Sequence, residues 1–245
     1  MITWTLDTPH SAAEAELFAS LEQTFELSGE HITASPLSVV IRIEADGKRY
    51  YVKRYHRAGK HLQAWLGTSR VETEWRNLLR FAEWGIPTAR VVAHGQERRF
   101  GRFARGALVT EEIPDTRDLA QLARAGDPRL RDRHWVAHVS RQLAGITRTL
   151  HAHHFTHNDL KWRNLLVDGA GRLYLIDCPL GNVWWGPILW HRIIKDLACL
   201  DKVAKYELSR AQRMRFYLDY VSKSRLDAAD KRRLRHVLRY FEGRE

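Results

Sequence analysis

The chain has 245 residues, of which 44% are hydrophobic and 28% charged, so it is long enough for one large domain or two small lobes with a substantial core. It has no run of about 18 apolar residues, no signal-peptide pattern near residue 1 and only two cysteines, which argues against a membrane span or a secreted disulfide scaffold and indicates a reducing cytoplasm. A net charge of +11, from 40 Lys and Arg against 29 Asp and Glu, favours an anionic partner such as nucleotide phosphates, nucleic acid or an acidic membrane surface.

The first half of the chain predicts a small antiparallel sheet with few helices. Ser11 and Glu14 form a capping-box pattern for a short amphipathic helix. Asp46-Gly47 is a strong hairpin signal between two strand patterns. The predicted strands are residues 38–43, 50–55, 90–94 and 107–112, with a helix over residues 69–84. A turn rich in arginine (Arg98, Arg99, Arg102 and Arg105) separates the last two strands, and it fits a solvated hairpin tip and an anion-binding site equally well.

One glutamate of this first half is predicted to need a buried cationic partner. Glu74 falls inside the apolar arc of the helix over residues 69–84, where a carboxylate is costly unless it is paired. A buried cation is therefore expected to pair with Glu74 or, as the alternative, with Glu72 at the edge of the arc; Lys53, at the end of the strand Tyr50-Tyr51-Val52-Lys53, is a candidate. Taken alone, Lys53 would be an exposed strand lysine among the basic residues Arg54, Arg57 and Lys60.

The second half of the chain has helical periodicity. Helices are predicted over residues 134–154, 193–203, 209–220 and 227–241. The last of these carries Lys231, Arg232, Arg233, Arg235 and Arg239, which indicates a solvated basic face or, alternatively, a contact with anionic lipid heads. His151, His153 and His154 fit a helix end, whose dipole favours cations, better than a zinc site.

Three polar residues bracket a predicted hairpin between residues 157 and 177. The pattern is a loop, a strand over residues 165–167, a turn over residues 168–171 and a strand over residues 173–176. Because a hairpin brings its two strand ends together, Asn164 and Asp177 should meet and offer oxygen ligands to Mg²⁺. Asp159 should lie close by and accept a proton. Such a set suits phosphoryl transfer, and we favour that interpretation over a chance hairpin with polar ends.

The segment His157-Asn158-Asp159-Leu160-Lys161-Trp162-Arg163-Asn164 resembles the catalytic loop H-R-D-L-x-x-x-N of the protein-kinase-like fold, with Asp177-Cys178-Pro179 at its D-F-G position. The resemblance implies a bilobal α+β fold with a small antiparallel-sheet N-lobe over residues 1–113 and a mainly helical C-lobe over residues 114–245.

The same resemblance implies a role for each candidate residue. Lys53, fixed by Glu74, would bind the phosphates of ATP, and backbone groups of a hinge at Glu111 and Ile113 would bind adenine. Asn164 and Asp177 would hold Mg²⁺. The implied catalytic residues are Asp159, which orients the acceptor hydroxyl, and Lys161, which neutralises the transferred phosphoryl group. Asp196 is similar to the kinase aspartate that holds the backbone of the catalytic loop.

The chain also departs from the general kinase pattern. No glycine-rich loop precedes the first hairpin, where residues 34–38 read Ala-Ser-Pro-Leu-Ser. Asn158 replaces an arginine that would bind a phosphorylated activation loop, and no A-P-E follows Asp177. Regulation by phosphorylation of such a loop is therefore not expected.

Within the superfamily, the chain resembles the bacterial lipopolysaccharide kinases over residues 38–203. The features that carry this resemblance are the Tyr-Val-Lys strand, Glu-Trp followed by Gly-Ile-Pro, Leu-Val-Thr-Glu, and Lys-Asp-Leu-Ala after a Trp-rich segment. The resemblance implies Mg²⁺-dependent phosphorylation by ATP of an inner-core sugar, heptose or Kdo. The acceptor would be an anionic, lipid-linked sugar at the cytoplasmic face of the inner membrane, and no nucleic acid is expected as a partner.

Three alternatives remain. A small atypical kinase would phosphorylate Ser or Thr of a protein. A pseudokinase would act as a binding scaffold, which the missing glycine loop favours and the set of Lys53, Asp159, Asn164 and Asp177 disfavours. An antibiotic phosphotransferase is disfavoured because a strongly basic chain does not suit cationic drugs.

Overall fold

The computed structural model describes residues 1–57 and 67–243. The chain forms two compact units, one from Met1–Glu83 with Thr88–Ile113 and one from Trp84–Pro87 with Pro114–Glu245. Lys60, one of the basic neighbours expected near Lys53, lies outside the described residues.

The first unit is built on a six-stranded sheet in the order β1-β5-β6-β4-β3-β2, in which all neighbours are antiparallel. Its strands are β1 Ile2–Leu6, β2 Glu30–Ala34, β3 Ser38–Ala45, β4 Lys48–Tyr55, β5 Val91–Arg99 and β6 Arg102–Glu111. Its described helices are α1 Ala12–Leu17, α2 Leu21–Glu26 and α3 Arg70–Glu83.

The hairpins of this sheet follow from their turn residues. Asp46 and Gly47 have φ angles of 52° and 68°, the left-handed pair that a two-residue hairpin turn requires, and they join β3 to β4 as predicted. The arginine-rich turn is shorter than expected because Phe100 and Gly101 alone form its tip. The carboxylate of Glu97 pairs with Arg99 at 2.6 Å and with Arg105 at 2.7 Å, which supports a paired hairpin over an anion-binding site.

Two strands of this sheet, β1 and β2, were not predicted. Strand β1 pairs with β5, whose residues lie more than 85 positions away along the chain, and every residue of β2 is exposed. Neither strand therefore has a strong alternation of buried and exposed side chains. Strand pairing across long separations is decided by the sheet and not by the local sequence.

One face of the sheet packs on α1 and the chain that follows it. Tyr50 and Val52 of β4, Val92 of β5 and Val109 of β6 form a core cluster with Phe18. The rings of Phe18 and Tyr50 meet edge-on with centroids 5.4 Å apart.

A buried carboxylate ties α1 to this sheet. Glu14 is 2% exposed, accepts hydrogen bonds from the Tyr50 hydroxyl at 3.0 Å and the Ser11 backbone N–H at 2.9 Å, and pairs with the Arg90 guanidinium. Burial works to raise the pKa of Glu14, but these donors together lower it below its usual 4.5. Burial and the same carboxylate raise the pKa of Tyr50 to about 12, so its hydroxyl stays a donor.

We expect this carboxylate to make the free energy of unfolding depend on pH. A group whose pKa is lowered in the folded state stabilises that state above its usual pKa, and this contribution is lost as the pH falls through the lowered value. The advantage of the wild type over Glu14→Gln in urea unfolding should therefore be largest near pH 7 and shrink below pH 4.5. Glu16→Gln, at an exposed position of the same helix, controls for the loss of one negative charge. Equal pH slopes for the wild type and Glu14→Gln would contradict the expectation.

The second unit is mainly helical. Its α-helices are α4 Leu119–Arg124, α5 Arg133–Ala152, α6 Gly186–Glu207, α7 Arg210–Val221 and α8 Ala228–Arg239. Its short strands are β7 Arg117–Asp118, β8 Phe155–Thr156, β9 Leu165–Val167, β10 Leu173–Leu175 and β11 Asn182–Val183, in the sheets β10-β9-β7 and β11-β8. The 3-10 turns are Pro128–Arg131 and Trp162–Asn164.

The long helices of this unit share one core. Ala144 of α5, Leu197 of α6, Tyr217 of α7 and Val237 of α8 belong to a single buried cluster. Helix α6 begins seven residues before the predicted start at residue 193, because Gly186 and Pro187 form its first turn and Trp185 its N-cap. In the part of the chain that the structure describes, none of the helices has the length and apolar character needed to cross a bilayer.

Candidate active site

The first unit contains the ion pair expected between β4 and α3. Nζ of Lys53 lies 2.9 Å from Oε1 of Glu74, whose side chain is 4% exposed. Tyr55, two residues after Lys53 and therefore on the same face of β4, also donates a hydrogen bond to this carboxylate. The sequence predicted the pair but not the contribution of Tyr55. The alternative acid, Glu72, pairs with Arg76 at 2.7 Å and accepts a hydrogen bond from Gln96 at 2.8 Å.

The turn at residues 34–38 uses its own hydrogen-bonding groups. The Ser35 hydroxyl accepts hydrogen bonds from the backbone N–H groups of Leu37 at 3.2 Å and Ser38 at 3.1 Å, and the Ser35 N–H donates to the Ser38 carbonyl at 2.8 Å. A glycine-rich loop would leave such N–H groups open to phosphates. This turn is instead closed by a serine side chain.

The end of β6, predicted as the hinge, is already part of the sheet. The N–H of Glu111 donates to the Arg90 carbonyl at 3.0 Å, and the N–H of Glu112 donates to the Arg49 carbonyl at 2.7 Å. The Glu111 carboxylate pairs with Arg90 at 2.6 Å and Lys48 at 3.2 Å. Adenine binding by Glu111 and Ile113 therefore stays a prediction, and at Glu111 it depends on a backbone group other than the N–H.

In the second unit, a buried aspartate fixes the loop between β8 and the 3-10 turn Trp162–Asn164. Asp196, which is fully buried on α6, accepts hydrogen bonds from the backbone N–H groups of His157 and Asn158, each at 2.8 Å. Trp162 adds a bond of 3.1 Å from its indole N–H to the Leu200 carbonyl of the same helix. The expectation that Asp196 holds the loop backbone is confirmed.

His157 is a structural residue of this loop. Its side chain is fully buried, and its backbone N–H is one of the two that Asp196 binds. Burial lowers the pKa of His157 by more than the nearby carboxylates of Asp196, Asp177 and Asp159 raise it, so the imidazole is neutral at pH 7. A neutral ring adds no charge next to Asp159.

Asp159 sits between two cations of its own loop. Its Oδ1 lies 2.5 Å from Nζ of Lys161, and its Oδ2 lies 3.1 Å from a guanidinium nitrogen of Arg163. Burial alone would raise the pKa of Asp159, but the two cations lower it below its usual 3.8. Asp159 is therefore a carboxylate at neutral pH and accepts, but does not donate, hydrogen bonds. Arg163 was missed at the sequence level, although its spacing of four residues from Asp159 is visible there.

The hairpin places the two candidate metal ligands at one end. Strands β9 and β10 pair Leu165 with Leu175, and beyond them the Ile176 N–H donates to the Asn164 carbonyl at 3.0 Å. Asp177 follows directly, with a left-handed φ of 60° that is uncommon outside glycine.

The donor atoms at this end suit a hard cation. The side-chain amide of Asn164 donates a hydrogen bond through its nitrogen to the Asp159 carbonyl at 2.9 Å. This bond turns the amide oxygen of Asn164 the other way, where it is available as a metal ligand. One amide oxygen and one carboxylate fit Mg²⁺, which keeps several waters and takes further oxygens from phosphates. Among the described residues no group of three or more His, Cys, Asp or Glu could hold a metal ion.

The histidines at the end of α5 have other partners. Nδ1 of His151 lies 2.8 Å from the Tyr220 hydroxyl, and the ring of His153 stacks on Trp84 with centroids 4.3 Å apart. These contacts agree with the structural role preferred over zinc.

The segment after Asp177 is held to the loop that carries Asp159 without any phosphorylated residue. Asn158, the residue in place of the kinase arginine, donates to the Leu180 carbonyl at 2.9 Å and accepts from Arg192 at 3.3 Å. At Gly181 a Cβ would stand 2.4 Å from Sγ of Cys178 and from the ring of Phe155, so the backbone passes close to β8. Strand β11 then pairs with β8.

A cavity of about 540 Å³ also lies in the second unit, but it is unsuited to this chemistry. Side chains of α5, α6, α7 and α8 line it, and most of them are apolar; Asp201 and Arg213, which pair at 2.7 Å, are exceptions. None of the predicted site residues lines this cavity.

The chain is similar to known proteins in both sequence and fold. The model of the lipopolysaccharide kinase (Kdo/WaaP) family matches residues 21–220. A solved structure described as WaaP in complex with acyl carrier protein is similar over 98% of this chain and 97% of that one, with a TM-score of 0.75 and 23% identity. This likeness confirms the protein-kinase-like fold expected from the sequence. No curated protein sequence matches the chain.

Proposed function

The chain belongs to the lipopolysaccharide kinase (Kdo/WaaP) family, and we propose that it transfers the γ-phosphoryl group of ATP, with Mg²⁺, to a hydroxyl of an inner-core sugar of lipopolysaccharide, heptose or Kdo. The family resemblance found in the sequence is confirmed, and family membership supports a phosphotransferase. The proposal of phosphoryl transfer to a sugar rests on one observation, the fixed loop that carries Asp159. Asp196 binds the backbone of this loop, and the Asn164 side chain binds the carbonyl of Asp159.

Asp159 orients the acceptor hydroxyl in this proposal. Its carboxylate is ionised at neutral pH and can accept the hydroxyl proton as phosphoryl transfer proceeds. Lys161 and Arg163 make it a weak base, which suits a loose transition state in which positioning contributes more than proton abstraction. Lys161 is also suited to neutralise charge on the transferred group.

Lys53, held by Glu74 and Tyr55, binds the phosphates of the nucleotide in the proposal. Glu111 and Ile113 bind the adenine through backbone groups. Asn164 and Asp177 supply the protein ligands of Mg²⁺, which when bound neutralises charge on the phosphate oxygens.

The proposed acceptor is an anionic sugar linked to lipid, reached from the cytoplasmic face of the inner membrane. The phosphate and carboxylate groups of such an acceptor would be attracted to this chain, whose net charge is +11. Phosphorylation of Ser or Thr in a protein is the alternative within the same fold. A pseudokinase scaffold would also explain the turn at residues 34–38, which Ser35 closes. It would not explain why the loop that carries Asp159 is fixed in place.

The proposal is tested by transfer of label from [γ-³²P]ATP to purified lipopolysaccharide core and, in parallel, to a generic protein substrate, each with and without Mg²⁺. We expect Mg²⁺-dependent label in the core sugar and none in the protein, and the Asp159→Asn enzyme serves as the inactive control. Label in the protein alone would support the alternative kinase. Nucleotide binding with no transfer to either acceptor would support the scaffold.

A further inference from the structure

Large apolar side chains protrude where α6 begins. Trp185 is 67% exposed, Ile188 55% and Trp190 41%. Trp185 caps the start of α6, and Ile188 and Trp190 follow within its first turn and a half, all within about 8 Å along the helix axis. The three side chains therefore surround the same helix end, here called the aromatic ledge. Exposed apolar side chains gathered at one place mark interaction sites, and tryptophan is the residue type enriched at the boundary between water and lipid.

A row of basic residues borders the aromatic ledge. Arg232, Arg235, His236 and Arg239 are all exposed and follow the spacing i, i+3, i+4, i+7, which places them on one face of α8. The ring of His236 meets the ring of Trp190 edge-on, with centroids 4.9 Å apart. Trp190 of the ledge therefore lies directly beside the basic row.

The acids of α8 do not offset the basic row. Asp227 and Asp230 both bind Nζ of Lys223, at 2.7 and 2.8 Å, and both lie on the opposite side of the helix. Asp230 is also buried. The row on α8 therefore presents basic side chains and no acid beside Trp190.

We propose that the aromatic ledge and the basic row form a surface that binds an anionic lipid bilayer. Tryptophan and isoleucine insert at the level of the lipid headgroups, and the arginines contact lipid phosphates. A second copy of this chain fits less well, because a self-complementary contact would bring the basic rows towards each other.

This surface is connected to the catalytic loop. The ledge begins two residues after β11, which pairs with β8, and β8 runs directly into the loop that carries Asp159. If the acceptor is lipid-linked, as the proposed function has it, the enzyme meets the acceptor while it is bound to the bilayer that holds the lipid.

The test is flotation of the full chain with vesicles of phosphatidylcholine containing 30% phosphatidylglycerol, and with vesicles of phosphatidylcholine alone. Each arginine at an anionic surface is worth about fivefold in partition, so the triple variant Arg232→Glu/Arg235→Glu/Arg239→Glu should bind the anionic vesicles at least about 100-fold more weakly. Trp185→Ser/Ile188→Ser should weaken binding by about tenfold or more. Circular dichroism checks that each variant is folded.

Two matched controls locate the binding surface. Arg124→Glu/Arg131→Glu/Arg133→Glu makes the same change of net charge at exposed positions elsewhere in the second unit and should bind the vesicles like the wild type. Phe100→Ser removes a fully exposed aromatic residue from the arginine-rich hairpin of the first unit and should also have no effect. The proposal would be wrong if the control triple variant or Phe100→Ser lost as much vesicle binding as the variants of the proposed surface. It would also be wrong if the wild type bound an acidic protein but not anionic vesicles.

A soluble acceptor separates this inference from the proposed function. Phosphorylation of deacylated core oligosaccharide should be unchanged in the Arg232→Glu/Arg235→Glu/Arg239→Glu variant, while phosphorylation of core lipid in vesicles falls. Vesicle binding without phosphorylation of any acceptor would contradict the proposed function but would still support the membrane-binding surface.

Discussion

Asp159→Asn should lower phosphoryl transfer by about 10² to 10⁴-fold while leaving nucleotide affinity within a few-fold of the wild type. Asparagine has nearly the same shape, but its amide cannot take the hydroxyl proton, and it leaves Lys161 and Arg163 beside a neutral group. Transfer is measured with labelled ATP and nucleotide affinity by calorimetry.

Asp46→Asn is the matched control for this variant. Asp46 is an exposed turn residue with a φ of 52°, a conformation that asparagine also tolerates, so the variant should keep full activity. If Asp159→Asn turned over within fivefold of the wild type, Asp159 would not be the residue that accepts the hydroxyl proton. Because the pKa of Asp159 is lowered, loss of wild-type activity through its protonation should occur only below pH 3.8.

Asp196→Ala should be among the most destabilising single changes in the second unit. It would leave the buried N–H groups of His157 and Asn158 without their acceptor, at a cost of about 1–3 kcal/mol each, or roughly 2–6 kcal/mol in total. Urea unfolding followed by circular dichroism measures this cost. Transfer should also fall in the folded fraction, since the loop that carries Asp159 loses its attachment to α6.

Asp201→Ala is the comparison for this change on the same helix. Asp201 makes two bonds of 2.7 Å to Arg213, but both side chains keep some contact with water, so breaking this pair should cost about 1 kcal/mol. If Asp196→Ala cost no more than Asp201→Ala, the buried backbone hydrogen bonds would not be the main support of the loop.

The parts of the fold that the sequence predicted well have local causes. The hairpin at Asp46-Gly47, helix α3 and helix α5 depend on turn residues and on periodicity within one segment, and their observed limits are close to the predicted ones. The start of α6 was missed because Trp185 to Trp190 has no helical alternation and remains exposed in the fold. Strand β1 was missed because only its pairing with β5 makes it a strand.

The sequence by itself determined the chemical type of the candidate site: an acid, an amide and a second acid at fixed spacing around a hairpin, and a buried glutamate that requires a cationic partner. These follow from residue identity and from strand geometry, which act over a few residues. Only the tertiary structure decided what surrounds them. The contacts of Tyr55 with Glu74 and of Trp190 with His236 depend on how separate segments pack, which no pattern within one segment encodes. The spacing shows that Arg163 can reach Asp159 and that Ser35 can reach its own turn, but only the structure shows that these side chains adopt the rotamers that make the contacts.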